Sequence, residues 1–129
     1  MRFLVDSHTL IWFLSADKQL SSKAKKQIDD FPATSCFVSV ATFWELAIKI
    51  NLGKINFLHP FAELQAKVIE NNFEILPVTF EHTLIVSTLP LHHRDPFDRI
   101  IIAQALEGNL TIITHDKNFQ SYKNIHLLW

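Results

Sequence analysis

Cysteine and glycine are scarce in this sequence. Its 129 residues include one cysteine, Cys36, and only two glycines. A single cysteine excludes an internal disulfide bond and suits a reducing compartment, so we expect a cytoplasmic protein. The scarcity of glycine, together with 48% hydrophobic and 19% charged residues, excludes a disordered or collagen-like chain and predicts regular secondary structure.

Long apolar segments and a strong excess of charge are missing as well. No apolar run approaches the roughly 18 residues of a membrane span, and Asp6 and His8 interrupt the apolar start before it resembles a signal peptide. We therefore expect no association with a membrane. The formal net charge of −1 excludes a general attraction to nucleic acid, so contact with a polyanion would depend on a local basic cluster or a bound metal ion.

Short apolar segments alternate with helical patterns along the chain. Strands are predicted at residues 2–5, 36–40, 73–76, 110–114 and 126–129. Helices are predicted at residues 9–14, 23–30, 41–52, 60–71, 79–88 and 96–106, the last one ended by Gly108. Apolar strands separated by helices predict an α/β fold in three layers, with about five parallel strands and helices on both faces. Since no linker or internal repeat interrupts this pattern, we expect residues 1–129 to form a single domain.

Two aspartates stand at the start of the most apolar predicted helix, in HHRDPFDRIIIAQA (residues 92–105). Proline is favoured as the first residue of a helix, so Asp95 is predicted to cap the helix and Asp98 to be its third residue. Capping and the helix dipole are a sufficient explanation for both acids. The alternative is that Asp98 belongs to a site shared with acids from elsewhere in the chain.

Three further acids are predicted at the same edge of the sheet. Asp6 and Asp116 follow predicted strands, and α/β folds bind ligands at the carboxyl ends of their strands. Glu45 is the one acid in an apolar helix, where a carboxylate usually needs a partner. Each also has an ordinary explanation: a helix cap for Asp6, a turn for Asp116, and for Glu45 a surface pair with Lys49.

A cluster of Asp6, Glu45, Asp98 and Asp116 would be self-repulsive. Two carboxylates about 4 Å apart repel by several kcal/mol at an effective dielectric near 20, so a cation is expected among them. Oxygen ligands without cysteine or paired histidine favour Mg²⁺ or Mn²⁺ over zinc. Such ions bind phosphate oxygens and activate water for attack at phosphorus, which predicts a phosphodiester hydrolase.

Three stretches of the sequence resemble PIN-domain ribonucleases of the VapC toxin type: FLVDSHTLIWFL, SVATFWELAIKINLGKI and HHRDPFDRIIIAQALEGNLTIITHD. The resemblance covers the whole chain. It implies a sheet of about five parallel strands and metal-dependent endonucleolytic cleavage of RNA. It also implies a cognate antitoxin that blocks the site, and a homodimer.

The resemblance further implies roles for individual residues. Ser7 and Thr114 are expected to place hydroxyl groups beside the acids, and Asp95 belongs to a DPFDR variant of the motif with a less direct share in the site. His115 departs from the family pattern, where Arg or Asn is more usual, and this affects the expected substrate preference. The acids expected to bind metal and to carry catalysis are Asp6, Glu45, Asp98 and Asp116.

Local positive charge near the acids is expected from four side chains: His92, His93, Arg94 and Arg99. We expect them to position phosphate groups, with solvated loop residues as the alternative. The aromatic residues Trp12, Phe43 and Trp44 have a spacing typical of core residues.

Three other classes of protein share parts of this pattern. A phospho-acceptor receiver domain needs adjacent acids after its first strand, and Asp6-Ser7-His8 lacks them. A non-catalytic binding module of the same fold would have lost one of the four acids, and all four are present. A DNA-directed or RNA-processing nuclease stays open, because metal chemistry on phosphodiesters does not itself distinguish ribose from deoxyribose.

Overall fold

Five parallel strands form a single sheet in the computed structural model, which describes residues 1–57 and 59–129. The strands are β1 (Arg2–Val5), β2 (Ser35–Ser39), β3 (Phe73–Leu76), β4 (Thr111–Ile113) and β5 (His126–Leu128). Their order across the sheet is β3-β2-β1-β4-β5. All pairings are parallel, so the predicted α/β sheet is confirmed.

In the described part of the chain, six α-helices connect the strands, as the sequence predicts. They are α1 (Ser7–Leu14), α2 (Ser22–Asp29), α3 (Val40–Asn51), α4 (Leu64–Glu70), α5 (Phe80–Thr88) and α6 (Pro96–Gly108). A 3₁₀ turn, Phe61–Glu63, precedes α4, and a second one, Lys117–Ser121, lies between β4 and β5. Among the residues that the structure describes, no helix is both long enough and apolar enough to cross a membrane.

Apolar side chains pack on both faces of the sheet and produce the predicted three layers. Phe3 and Val5 lie in a core with residues of α1 to α4, whereas Leu4, between them, packs against α6. This alternation follows from the two-residue period of a strand. Fully burying one such side chain contributes roughly 1.5–3 kcal/mol, so both layers of helices are held firmly on the sheet.

The central position of β1 sets the geometry of the sheet edge. Val5, its last residue, pairs with Val38 on one side and with Ile113 on the other. The residues that follow these strand ends therefore lie next to one another. The backbone N–H of Asp6 continues the pattern by donating to the carbonyl of Ile113 at 3.3 Å.

Two local predictions were wrong. The last long helix runs through Gly108, and Asn109 ends it in the left-handed conformation with φ of 51°. Asparagine tolerates this conformation better than other residues with a Cβ atom, so it can replace glycine as the terminating residue. Trp44, expected in the core, is 65% exposed and contacts Phe97 edge to face.

Candidate active site

Asp6 lies at the carboxyl end of β1 and is buried. One carboxylate oxygen, Oδ1, accepts the backbone N–H of Thr9 at 2.9 Å and so caps α1. The other, Oδ2, accepts the hydroxyl of Thr114. The predicted cap is therefore present, and both oxygens of Asp6 have a fixed direction.

Thr114 links Asp6 to Asp116. Its hydroxyl oxygen accepts the backbone N–H of Asp116 at 3.0 Å while its hydrogen is donated to Asp6. Asp116 in turn accepts the N–H of Asn118 at 2.9 Å, which is the turn expected from the sequence. Ser7, the first residue of α1, is buried beside Asp6 in the chain. The ends of β1 and β4 thus hold two acids in one hydrogen-bonded unit.

Glu45 lies on α3 and is buried. Its Oε2 pairs with Nζ of Lys49 at 2.7 Å, so the expected pair exists, although it is mostly shielded from solvent. Its other oxygen, Oε1, is buried and has no hydrogen-bond partner among the described residues. An unpaired buried carboxylate oxygen is costly, and a cation is the kind of partner that would remove this cost.

Asp95 and Asp98 have separate roles at the start of α6. Oδ1 of Asp95 accepts the backbone N–H groups of Phe97 and Asp98, at 2.9 and 3.1 Å, and caps the helix as predicted. Asp98 is the third helical residue, and its Oδ2 faces Nε2 of His93 at 3.2 Å. Because Asp95 caps the helix, the carboxylate of Asp98 takes no part in capping and can face the other acids.

Burial raises the pKa of Asp98 from its usual 3.8 to about 8, and repulsion from neighbouring acids adds to this effect. The repelling carboxylates are Asp95, Asp116, Glu45 and Asp6. Asp98 therefore lies within electrostatic range of all three distant acids that the sequence predicted to meet it. A carboxyl group with such a pKa lies in an environment that disfavours its charged form.

A divalent cation suits these residues in charge and in donor chemistry. The donors are carboxylate oxygens, which Mg²⁺ and Mn²⁺ prefer, and one of them is buried without a partner. Within residues 1–57 and 59–129, however, no group of three or more acidic, histidine or cysteine side chains is already arranged to hold a metal. Glu45 contacts Lys49 through Oε2 and Asp98 contacts His93 through Oδ2, so each of these contacts uses one of the two carboxylate oxygens.

Arg99 differs from its sequence prediction. Instead of reaching toward a substrate phosphate, it is buried and donates to the backbone carbonyls of Leu89 and Pro90, at 3.0 and 2.8 Å, and to the hydroxyl of Tyr122 at 2.9 Å. Its guanidinium is therefore committed to the protein interior. Arg94 and His92 are exposed in the loop that precedes α6.

Sequence reasoning missed Tyr122 altogether. Its hydroxyl lies 2.8 Å from Nδ1 of His93 and accepts from Arg99 at 2.9 Å. Tyr122 comes 29 and 23 positions after these partners, in a segment between a 3₁₀ turn and the last strand. No periodic pattern connects such distant residues, so the sequence carried no signal for this contact.

The sequence model of the PIN domain family matches residues 3–125. The chain belongs to the PIN domain family. This PIN domain is 27% identical over 124 residues to "Ribonuclease VapC22" of Mycobacterium tuberculosis, an alignment that covers 94% of this chain and 92% of the relative. The family assignment made from the three sequence stretches is confirmed.

Solved structures with the same fold include VapBC2 from Rickettsia felis bound to a DNA fragment from its promoter. The TM-score is 0.72 at 16% identity, over 100% of this PIN domain and 99% of the other chain. A second is VapBC-5 from Mycobacterium tuberculosis, a member of the VapBC family of toxin–antitoxin systems. Its TM-score is 0.63 at 18% identity, over 98% and 97% of the two chains. At these identities the likeness establishes the PIN fold.

Proposed function

We propose that this PIN domain is an endoribonuclease toxin that hydrolyses RNA phosphodiester bonds and is inhibited by a cognate antitoxin. The observation that carries the catalytic part is the set of four buried or half-buried acids at one sheet edge, with the pKa of Asp98 raised to about 8. Such a perturbed group in an acidic cluster is typical of a catalytic site. The similarity to a relative named as a ribonuclease supports RNA as the substrate.

The activity is proposed to depend on Mg²⁺ or Mn²⁺, with Asp6, Glu45 and Asp98 as ligands directly or through water. Asp116 would orient water or complete a second site. A bound ion of this kind supplies an activated water and neutralises charge that develops on the phosphate. The ion is proposed because Glu45 has an unpaired buried oxygen and because burial and four neighbouring carboxylates disfavour the charged form of Asp98.

The protein's own groups prepare the site. Thr9 and Thr114 fix both oxygens of Asp6, and Asp95 fixes the start of α6 from which Asp98 projects. Pre-organised ligands lower the cost of assembling the reactive geometry. We propose that Arg94, which is exposed, contacts a phosphate next to the cleaved bond.

The test is cleavage of fluorescently labelled RNA by purified protein with Mg²⁺, with Mn²⁺ and with EDTA. We expect cleavage with either ion, none with EDTA, and none by folded Asp98→Asn. A DNA oligonucleotide of the same sequence separates RNA cleavage from the alternative of a DNA-directed nuclease. Undiminished cleavage in EDTA, or by Asp98→Asn, would refute the metal assignment.

A protein partner is supported by apolar surface as well as by similar structures. Trp44, Phe80 and Leu84 on α3 and α5 are 65%, 71% and 52% exposed, and exposed apolar groups of this size mark interaction surfaces. Similar structures are named as members of toxin–antitoxin systems. We propose a cognate antitoxin, a homodimer and a cytoplasmic location as parts of the same function.

These cellular proposals have direct tests. Induced expression should arrest growth, Asp98→Asn should remove the arrest, and co-expression of the antitoxin should restore growth without loss of the toxin from cells. Sedimentation of the purified protein measures the oligomeric state, and fractionation of cells measures the location. Growth arrest that persists with Asp98→Asn would show that toxicity does not come from catalysis.

A further inference from the structure

Residues other than the four acids form a chain of hydrogen bonds that ends on Asp98. Arg99 donates to the hydroxyl oxygen of Tyr122 at 2.9 Å, and this hydroxyl lies 2.8 Å from Nδ1 of His93. On the other side of the same ring, Nε2 of His93 lies 3.2 Å from Oδ2 of Asp98. The His93 and Asp98 side chains are only 12% and 14% exposed, so water competes weakly for these contacts.

The direction of each bond follows from the chemistry of the groups. A guanidinium can only donate, so the Tyr122 oxygen accepts from Arg99. The buried Tyr122 hydroxyl then needs an acceptor for its own hydrogen, and Nδ1 of His93 is the one present in the described part of the chain. A neutral imidazole that accepts at Nδ1 carries its proton on Nε2. The proton of His93 is thereby directed at the carboxylate of Asp98.

Arg99 also holds the loop that carries His93. Besides Tyr122, it donates to the carbonyls of Leu89 and Pro90 at 3.0 and 2.8 Å, and it lies 3.4 Å from the carbonyl of His93 itself. One buried guanidinium therefore fixes the path of the loop and the partner of the His93 ring. Both the position and the tautomer of His93 depend on groups that do not touch the other acids.

We infer that His93 is a positioning residue for Asp98, with its donating tautomer fixed by Tyr122 and its loop fixed by Arg99. Carboxylates that bind metals are usually oriented by such a hydrogen-bonded neighbour. The inference rests on the proposed function in that Asp98 must bind a divalent cation. It assigns Arg99 a role inside the protein in place of phosphate contact.

Binding of Mn²⁺ alone, measured by calorimetry and by electron paramagnetic resonance of free Mn²⁺, tests the inference. Loss of an orienting partner typically weakens metal binding about 10- to 100-fold, and we expect this for His93→Leu. His93→Gln keeps an N–H donor at the position of Nε2 and should regain most of the lost affinity. Tyr122→Phe should show a smaller loss, and the distant, exposed His126→Gln should bind Mn²⁺ as the unmodified protein does.

A second readout concerns the tautomer and needs no metal. In metal-free protein, ¹⁵N chemical shifts of the His93 ring should show the proton on Nε2, and Tyr122→Phe should remove this preference. A merely structural contribution of Tyr122 would change stability without changing the tautomer. This measurement also keeps the inference testable if His93→Leu does not fold.

The inference is overturned if folded His93→Leu binds Mn²⁺ with unchanged affinity, if His93→Gln is as weak as His93→Leu, or if His93 carries its proton on Nδ1. Failure of the unmodified protein to bind Mn²⁺ would overturn the metal site and the inference together. Mn²⁺ binding that weakens in His93→Leu, in a protein that cuts no RNA, would support the inference and refute the proposed ribonuclease activity.

Discussion

The hydroxyl of Thr114 donates to Oδ2 of Asp6 and joins the ends of two neighbouring strands that are 108 positions apart in the sequence. The same oxygen accepts the N–H of Asp116, so one threonine contacts two of the four acids. Because Thr114 and Asp6 are both buried, this bond is protected from water. It gives Asp6 a single orientation before any ligand binds.

Replacing Thr114 should affect both stability and activity. Thr114→Val keeps the shape of the side chain but leaves Oδ2 of Asp6 without its donor, and an unsatisfied buried group costs about 1–3 kcal/mol. We expect this loss in urea denaturation of the metal-free protein, together with reduced RNA cleavage. Thr114→Ser keeps the hydroxyl and should stay close to the unmodified protein in cleavage. A Thr114→Val protein with unchanged stability and cleavage would contradict the assigned contact.

The two aspartates at the start of α6 should respond differently to substitution. Asp95→Ala removes a cap that accepts two backbone N–H groups and should lower the free energy of unfolding by about 1 kcal/mol. Asp95→Asn keeps a capping oxygen and should lose less. Both proteins should cut RNA, whereas Asp98→Asn should not. If Asp95→Asn were as inactive as Asp98→Asn, Asp95 would be a ligand and not only a cap.

His82 provides a structural test away from the acids. It takes the place of the usual Glu or Gln in a capping box, where Nδ1 accepts the N–H of Thr79 at 2.9 Å, and its Nε2 lies 3.3 Å from Glu107. Glu107 is nine residues from Asp98 on the same helix, a rise of about 14 Å. His82→Ala should therefore reduce stability by about 1–3 kcal/mol without changing cleavage per folded molecule.

A matched variant separates the capping bond from the bulk of the ring. His82→Gln supplies an acceptor of the kind preferred at this position and should regain part of the stability lost in His82→Ala. Thermal unfolding of the three proteins, with cleavage measured at a temperature where all are folded, checks both statements. Equal stability of the Ala and Gln variants would show that packing of the ring matters and the cap does not.

Local signals in the sequence were sufficient for the elements and for the acids. Asp6 and Asp95 cap the helices that follow them, because a capping carboxylate accepts N–H groups that lie only two or three residues further along the chain. The short apolar segments were recognisable as strands because strands of a sheet that helices cover on both faces are apolar throughout. The expectation that Asp6 and Asp116 lie at the same edge followed from the rule for strand ends, which depends on fold class and not on fine geometry.

Features that depend on contacts between distant segments were not predictable. Arg99 is an ordinary charged residue in the sequence, and only the fold shows that Tyr122 and two loop carbonyls surround it. Trp44 has the spacing of a core residue but faces solvent, since helical periodicity fixes relative directions and not which direction is buried. The sequence could not show either outcome without the packing of α3 and α6.

The free energy of unfolding should decrease as the pH rises, because of Asp98. Its pKa is about 8 in the folded protein and should be near 3.8 when the chain is unfolded. Between these values the folded state holds a proton that the unfolded state has lost, so raising the pH favours unfolding. Each unit of pKa difference is worth about 1.4 kcal/mol, so this one group produces a slope of at most about −1.4 kcal/mol per pH unit.

Asp98→Asn isolates this contribution. In metal-free protein, the stability of Asp98→Asn relative to the unmodified protein should rise by about 1–4 kcal/mol from pH 5 to pH 8, measured by urea denaturation. Mg²⁺ or Mn²⁺ should stabilise the unmodified protein at pH 8 and leave Asp98→Asn nearly unchanged, because a ligand stabilises only a state that binds it. Parallel pH curves for the two proteins would show that Asp98 ionises normally. The neighbouring acids and the burial of Asp98 would then have no measurable effect on its carboxyl group.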